Sequence, residues 1–296
     1  MNAPPPGGPV TVGAALRAAA AAFAESSASP QLDAQSLLGH LLGMERAALL
    51  AHPERVLTPE QAQAYATLVR CHANGTPIAY LTGRRAFYRH EFAVTPDVLI
   101  PRPETEHLVD AARTWAQHRQ PHGDGLTVLD VGTGSGIIAL SLAAVLPRAT
   151  VHATDISPAA LDVARGNAAR LGLDNVQFHL GSLLDALPAA VRPDLVTANL
   201  PYIASDALRD LEVARHEPRL ALDGGPDGLD LIRLLLDQLP ARLLDSFCLL
   251  LEIAAGQGEA VRELCARAFP HGIVRVLPDY AGLDRVVETT RAGGGR

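Results

Sequence analysis

Two hydrophobic rhythms divide the chain. Apolar residues first recur at helical spacing. Ala14–Phe23 is Ala-rich and helical, and Gln31–Leu42 carries Leu37, Leu38, Leu41 and Leu42 on one face, closed by Gly43. Glu45–Leu50 reads as a further turn or two. Thr58-Pro59-Glu60-Gln61 has the makings of a capping box with Pro at the first helical position, and that helix runs to about Cys71 before Asn74-Gly75. Residues 1–75 therefore read as a small all-α domain. From Pro77 to Ile100 the pattern turns β-prone, through Phe87, Phe92, Val94, Val98 and Ile100. With Thr95-Pro96-Asp97 as its turn, this stretch (76–103) reads as a hairpin linker. It carries Arg84, Arg85 and Arg89, either a solvated face or a strip for docking a partner.

Beyond residue 104 strands and helices alternate. The strands expected are 127–131, 151–154, 176–180, 195–198, 249–253, 273–277 and 285–288. Between them helices are expected at about 106–115, 137–146, 157–172, 229–244 and 259–268. Seven strands in βα alternation imply an α/β fold with a mostly parallel sheet covered on both faces. Residues 1–10 and 292–296 read as loose tails.

Composition narrows the chemistry. The 296 residues are 48% hydrophobic and 19% charged, with net charge −7, a balance that suits a globular chain and disfavours a broad phosphate-binding face. All 25 basic residues are Arg. Without Lys there is neither a Walker P-loop nor a Schiff-base nucleophile. The three cysteines are dispersed, no apolar run is long enough to span a bilayer, and the start of the chain does not read as a secretory signal. A reduced cytoplasmic protein is the expectation. The 11 histidines form no cluster with ligand spacing, so no metal is expected.

Two stretches carry chemistry. Leu129-Asp130-Val131-Gly132-Thr133-Gly134-Ser135-Gly136 is a strand, a Gly-rich turn and a helix start, with Asp155 ending the next strand about 20 residues on. The glycines let a ligand approach the backbone, and a carboxylate at that strand end suits the two hydroxyls of an adenosine ribose. The spacing Gly-x-Gly-x-Gly departs from the dinucleotide pattern, since Ile137 stands at its last glycine. The second stretch is Asn199-Leu200-Pro201-Tyr202, closing the apolar run Leu195–Ala198. It offers an amide, a carbonyl, a rigid ring and an aromatic face just past a buried strand, where ligands of open α/β sheets bind.

These motifs resemble the class I S-adenosylmethionine-dependent amino-methyltransferases. With Tyr80-Leu-Thr-Gly83, Pro101-Arg-Pro-Glu-Thr105, Glu217-Pro218, Gly224-Gly225-x-Asp227-Gly228-Leu229 and Leu251-Glu252-Ile253, the chain is similar to the HemK-type (PrmC) release-factor glutamine methyltransferases over about residues 14–288. The resemblance implies a Rossmann-like domain at 104–296 and a substrate-docking role for the helical domain. It also implies a monomer that binds a release factor as protein substrate, with no membrane or direct nucleic-acid partner.

S-adenosylmethionine binding is implied for Gly132, Thr133, Gly134, Ser135, Gly136, Asp155 and Asn199, with Leu183 against the adenine. Catalysis and glutamine binding are implied for Asn199, Leu200, Pro201 and Tyr202, and further substrate contact for Arg102 and Glu104. Three positions depart from the family: Leu200 for the usual Pro, Ser182-Leu183 for an acidic-aromatic pair, and Ala86 before Phe87, where Glu is common.

The implied reaction is methyl transfer to the side-chain amide nitrogen of the Gln in a Gly-Gly-Gln loop. The alternatives are an N6-adenine methyltransferase on rRNA or DNA, a glutamine methyltransferase of a ribosomal protein, a non-enzymatic S-adenosylmethionine sensor, and a nicotinamide oxidoreductase.

Overall fold

Local signals for the helical part are realised almost to the residue. In the computed structural model, which describes residues 10–293, Thr58 Oγ1 accepts from the Gln61 amide and Gln61 Oε1 accepts from the Thr58 amide, the capping box that opens α4. The first unit (Met1–Gly83) holds α1 (Val12–Ala22), α2 (Pro30–Leu42), α3 (Arg46–Ala51), α4 (Pro59–Ala73) and α5 (Ile78–Thr82). Gly43 closes α2 in the left-handed region, at φ 61°. Phe23, Leu37, Leu38 and Leu49 are wholly buried in its core. The buried Tyr65 satisfies its hydroxyl on the Ala34 carbonyl at 2.8 Å.

The second unit (Arg84–Arg296) begins with a hairpin, β1 (Arg84–Phe87) and β2 (His90–Ala93). Its turn is Tyr88-Arg89, with Tyr88 at φ 54°, and not Thr95-Pro96-Asp97 as the β-prone run suggested. Thr95–Val98 is a separate turn closed by its own side chain, Thr95 Oγ1 accepting from the Asp97 amide. Residues 78–82, read as part of the hairpin, are α5 instead. The hairpin is tied down by Asn167, whose side chain meets both the amide and the carbonyl of Ala93.

The remaining elements are α6 (Glu106–Arg119), β3 (Thr127–Val131), α7 (Ile137–Val145), β4 (Thr150–Asp155), α8 (Pro158–Leu171), β5 (Val176–Leu180) and β6 (Leu195–Ala198). They continue with α9 (Asp230–Gln238), β7 (Phe247–Glu252), α10 (Gly258–Ala268), β8 (Ile273–Pro278) and β9 (Asp284–Arg291). The expected helix 229–244 stops at Gln238, because Pro240 cannot continue its ladder and the chain tightens into a 3-10 turn. The seven strands run in the order β5-β4-β3-β6-β7-β9-β8. All neighbours are parallel except β9, which is antiparallel to β7 and β8.

The period of two sorts the strand residues onto two cores. Val128, Leu195, Cys248 and Leu250 pack with α6 and α7, while Leu129, Val196, Leu249 and Leu251 pack with α9 and α10. The chain reverses direction of travel across the sheet between β3 and β6, so their carboxyl ends form the switch point where ligands of such sheets bind. Among the described residues no helix is long and apolar enough to cross a membrane. The expected tails fall almost entirely outside the described residues.

Candidate active site

The Gly-rich turn is built by its own backbone. The amides of Gly132 and Thr133 both donate to the Thr154 carbonyl, at 2.9 and 3.0 Å, and Gly136 donates to the Thr133 carbonyl at 2.8 Å. Gly132 has φ 72°, and a Cβ there would stand 3.0 Å from Leu200 Cδ2. The leucine at the variant position of the tetrapeptide thus packs against the Gly-rich turn, and it is buried there. Gly134, at φ 56°, has nothing within 4 Å of where a Cβ would be, an open cradle on the cavity side.

Asp155 ends β4 and ties this turn to the next helix. Its Oδ2 accepts from the Gly134 amide and its Oδ1 from the Ser157 amide, each at 2.8 Å. Burial pushes its carboxyl up despite those bonds. Leu183, after β5, is buried in the left-handed region at φ 47°, a conformation costing about 1–3 kcal/mol for a branched side chain. Such strain is characteristic of ligand-binding segments. Asp130 is wholly buried. Its Oδ1 accepts from Thr197 Oγ1 at 2.9 Å, its Oδ2 has no partner, and burial pushes it up to about 6.

At the end of β6, Asn199 Nδ2 donates to Thr105 Oγ1 at 3.2 Å. The backbone after it is held from below. A Cβ at Gly224 would meet the Pro201 carbonyl at 2.6 Å, and one at Gly228 would meet the Tyr202 carbonyl at 2.2 Å. Gln257 Nε2 also donates to the Tyr202 carbonyl. The second Gly-rich motif is therefore the floor of the tetrapeptide. Burial, together with the nearby Glu252, pushes the Tyr202 hydroxyl up to about 12.

A cavity of about 320 Å³ opens over these strand ends. Gly132, Thr133, Gly134, Ser135, Asp155, Leu183, Asn199, Leu200, Pro201 and Arg102 all line it. Gly136 lies behind the wall, capping α7. Tyr202 lines a smaller adjoining cavity of about 80 Å³, together with Arg102 and Asn199. Arg102 is engaged by the buried Glu217, which also accepts from the Ile100 amide at 2.9 Å, so the pair clamps the Pro101–Thr105 segment at the cavity rim. Glu104 is exposed and lines neither cavity. Arg84, Arg85 and Arg89 are exposed on the hairpin, with Arg84 paired to Glu91.

Three residues that the sequence offered only inside family motifs, with no role assigned, belong here: Thr105, Glu217 and Glu252. Glu252 carried a signal, being a carboxylate at the end of the apolar run Phe247–Leu251. The cavity fits S-adenosylmethionine. It presents a glycine cradle, a strand-end carboxylate for a diol and an apolar side chain after β5.

Residues 14–83 match the PrmC N-terminal domain and residues 122–221 a methyltransferase domain. The release factor glutamine methyltransferase of Moorella thermoacetica is 46% identical over 93% of this chain and 95% of its own length. The chain belongs to the release factor glutamine methyltransferase family. That of Bordetella pertussis is 44% identical over 87% of this chain and 93% of its own. A methyltransferase structure from Pyrococcus furiosus shares the fold at 16% identity and a TM-score of 0.51, covering 69% of this chain and 90% of that one. The helical segment matched to this family ends at Gly83, where the first unit also ends.

Proposed function

We propose that this family member transfers the methyl group of S-adenosylmethionine to the side-chain amide nitrogen of the glutamine in the Gly-Gly-Gln loop of a peptide chain release factor. The observation that carries the reading is Asn199. It lines the same cavity as Gly134 and Asp155, and its amide nitrogen is already committed to Thr105.

When bound, S-adenosylmethionine supplies a methyl group made electrophilic by its sulfonium. Gly132–Ser135 and Asp155 would hold it by backbone approach and by the lone pairs that Asp155 keeps beyond its two amide bonds. Leu183 offers an apolar face for the adenine. The task left to the chain is the nucleophile. An amide nitrogen shares its lone pair with its carbonyl and attacks poorly. Asn199 Oδ1 accepts from one substrate N–H and the Leu200 carbonyl from the other, which favours a pyramidal nitrogen with a localised lone pair. A leucine serves at position 200 because the chemistry needs a carbonyl there and not a ring.

Tyr202 and Pro201 shape the wall against the flat amide. Holding nitrogen, methyl and sulfur in line is worth about 7–11 kcal/mol at best. As the N–CH3 bond forms and the S–CH3 bond breaks, the nitrogen becomes strongly acidic and releases one N–H proton to water, so no separate base is required. The helical unit is read as docking the release factor, and the reaction as cytoplasmic. Incubation with S-adenosylmethionine and a release factor, followed by mass mapping of the Gly-Gly-Gln peptide, tests the proposal. Added methyl mass on that glutamine supports it, and an unmodified peptide refutes it.

A further inference from the structure

Asn199 can serve as an acceptor only if its oxygen, and not its nitrogen, faces the substrate. Something must decide between two nearly isosteric orientations of the amide. The neighbours that could do so are buried. Thr105 is fully buried at the end of the 3-10 turn Pro103–Thr105, and its Oγ1 accepts the Asn199 N–H at 3.2 Å. A hydroxyl that accepts still has one proton to place.

Glu252 stands beside it. Ala198 and Leu251 are paired across the parallel strands β6 and β7, so Asn199 and Glu252 are the next residues of the two strands. The carboxyl of Glu252 is 1% exposed. Neither oxygen closes a hydrogen bond at full bonding geometry. Burial pushes that carboxyl up to about 7, against Thr105, Arg285 and Asn199, which favour its charged form, and above that pH Glu252 is ionised. An ionised carboxylate accepts and cannot donate. It therefore imposes one direction on the chain of bonds: Asn199 N–H to Thr105 Oγ1, and Thr105 O–H to Glu252. Both amide protons then lie on the Thr105 and Glu252 side, and Oδ1 is left for the cavity.

We propose that Thr105 and Glu252 are positioning residues that fix the Asn199 amide with its oxygen toward the substrate glutamine. The inference rests on the methyl transfer proposed above. Thr105→Val keeps the shape and removes the hydroxyl, and Thr105→Ser keeps the hydroxyl. Glu252→Gln replaces an obligate acceptor by a group that also donates, so it can reverse the chain.

The experiment measures kcat with a release factor and the Kd for S-adenosylmethionine by calorimetry, the latter reporting an intact fold. Thr105→Val and Glu252→Gln are expected to lose about 10- to 100-fold in kcat, the size of a misplaced reacting group. Their cofactor Kd is expected to stay at the wild-type value, and Thr105→Ser to recover most of the rate. Wild-type kcat in Thr105→Val or in Glu252→Gln, or Thr105→Ser as slow as Thr105→Val, overturns the inference while leaving the methyl transfer standing. A wild-type chain that methylates no release factor overturns both.

Discussion

The amide of Gly134 donates to Asp155 Oδ2 at 2.8 Å, so the glycine turn after β3 and the carboxylate ending β4 form one rigid unit. Removing that carboxylate takes away the proposed ribose acceptor and also loosens the turn. Asp155→Ala is expected to raise the Kd for S-adenosylmethionine by about 10- to 100-fold, the worth of one charge-assisted hydrogen bond. Calorimetry checks it, and an unchanged Kd contradicts the ribose assignment.

Asn199 separates binding from chemistry. Its proposed contact is with the substrate amide, and the cofactor turn has its own supports. Asn199→Ala is expected to abolish methyl transfer while the cofactor Kd stays within a few-fold of wild type. Turnover at the normal rate by this variant removes Asn199 from the mechanism.

Asn167 holds three things at once and is wholly buried. Its Oδ1 accepts from the Ala93 amide at 2.7 Å, and its Nδ2 donates to the carbonyls of Ala93 at 3.0 Å and Ser135 at 2.9 Å. It links the hairpin, α8 and the cofactor turn. Asn167→Ala leaves buried backbone groups without partners and is expected to cost about 2–4 kcal/mol of stability. Denaturant unfolding measures this, and a loss within experimental scatter contradicts the linking role.

Two buried carboxyls give stability a pH dependence. Burial pushes Glu252 up to about 7 and Asp130 up to about 6, both above the ordinary carboxylate range. Each holds its proton more tightly in the folded than in the unfolded chain. Their contribution is therefore complete below the unfolded values and is lost as pH rises through about 6 to 7. Glu252→Gln, which cannot ionise, is expected to flatten its share of that decline in urea midpoints measured across this range. An unchanged slope contradicts the assignment.

Much of this was legible in the residues. All seven strands of the sheet lie where the apolar runs place them, because strands are written as short β-prone stretches between turn residues. Gly132–Ser135, Asp155 and Asn199–Pro201 meet at one cavity because strand ends on one edge of a sheet must meet, while Gly136 lies behind its wall. The hairpin turn was misplaced, since Thr95-Pro96-Asp97 has stronger local turn chemistry than Tyr88-Arg89. That hairpin is set by Asn167, more than seventy residues away, and local pattern cannot register such a partner. Thr105 and Glu252 stood in the family motifs, but their role was not legible for the same reason. Each is unremarkable alone, and their meaning comes from pairing β6 with β7.

The most direct test uses tritiated S-adenosylmethionine with a release factor and with a variant whose Gly-Gly-Gln glutamine is replaced by Asn. Label that enters the wild-type release factor and disappears in the variant is the predicted result. Label that persists in the variant, or that enters rRNA in its place, contradicts the account.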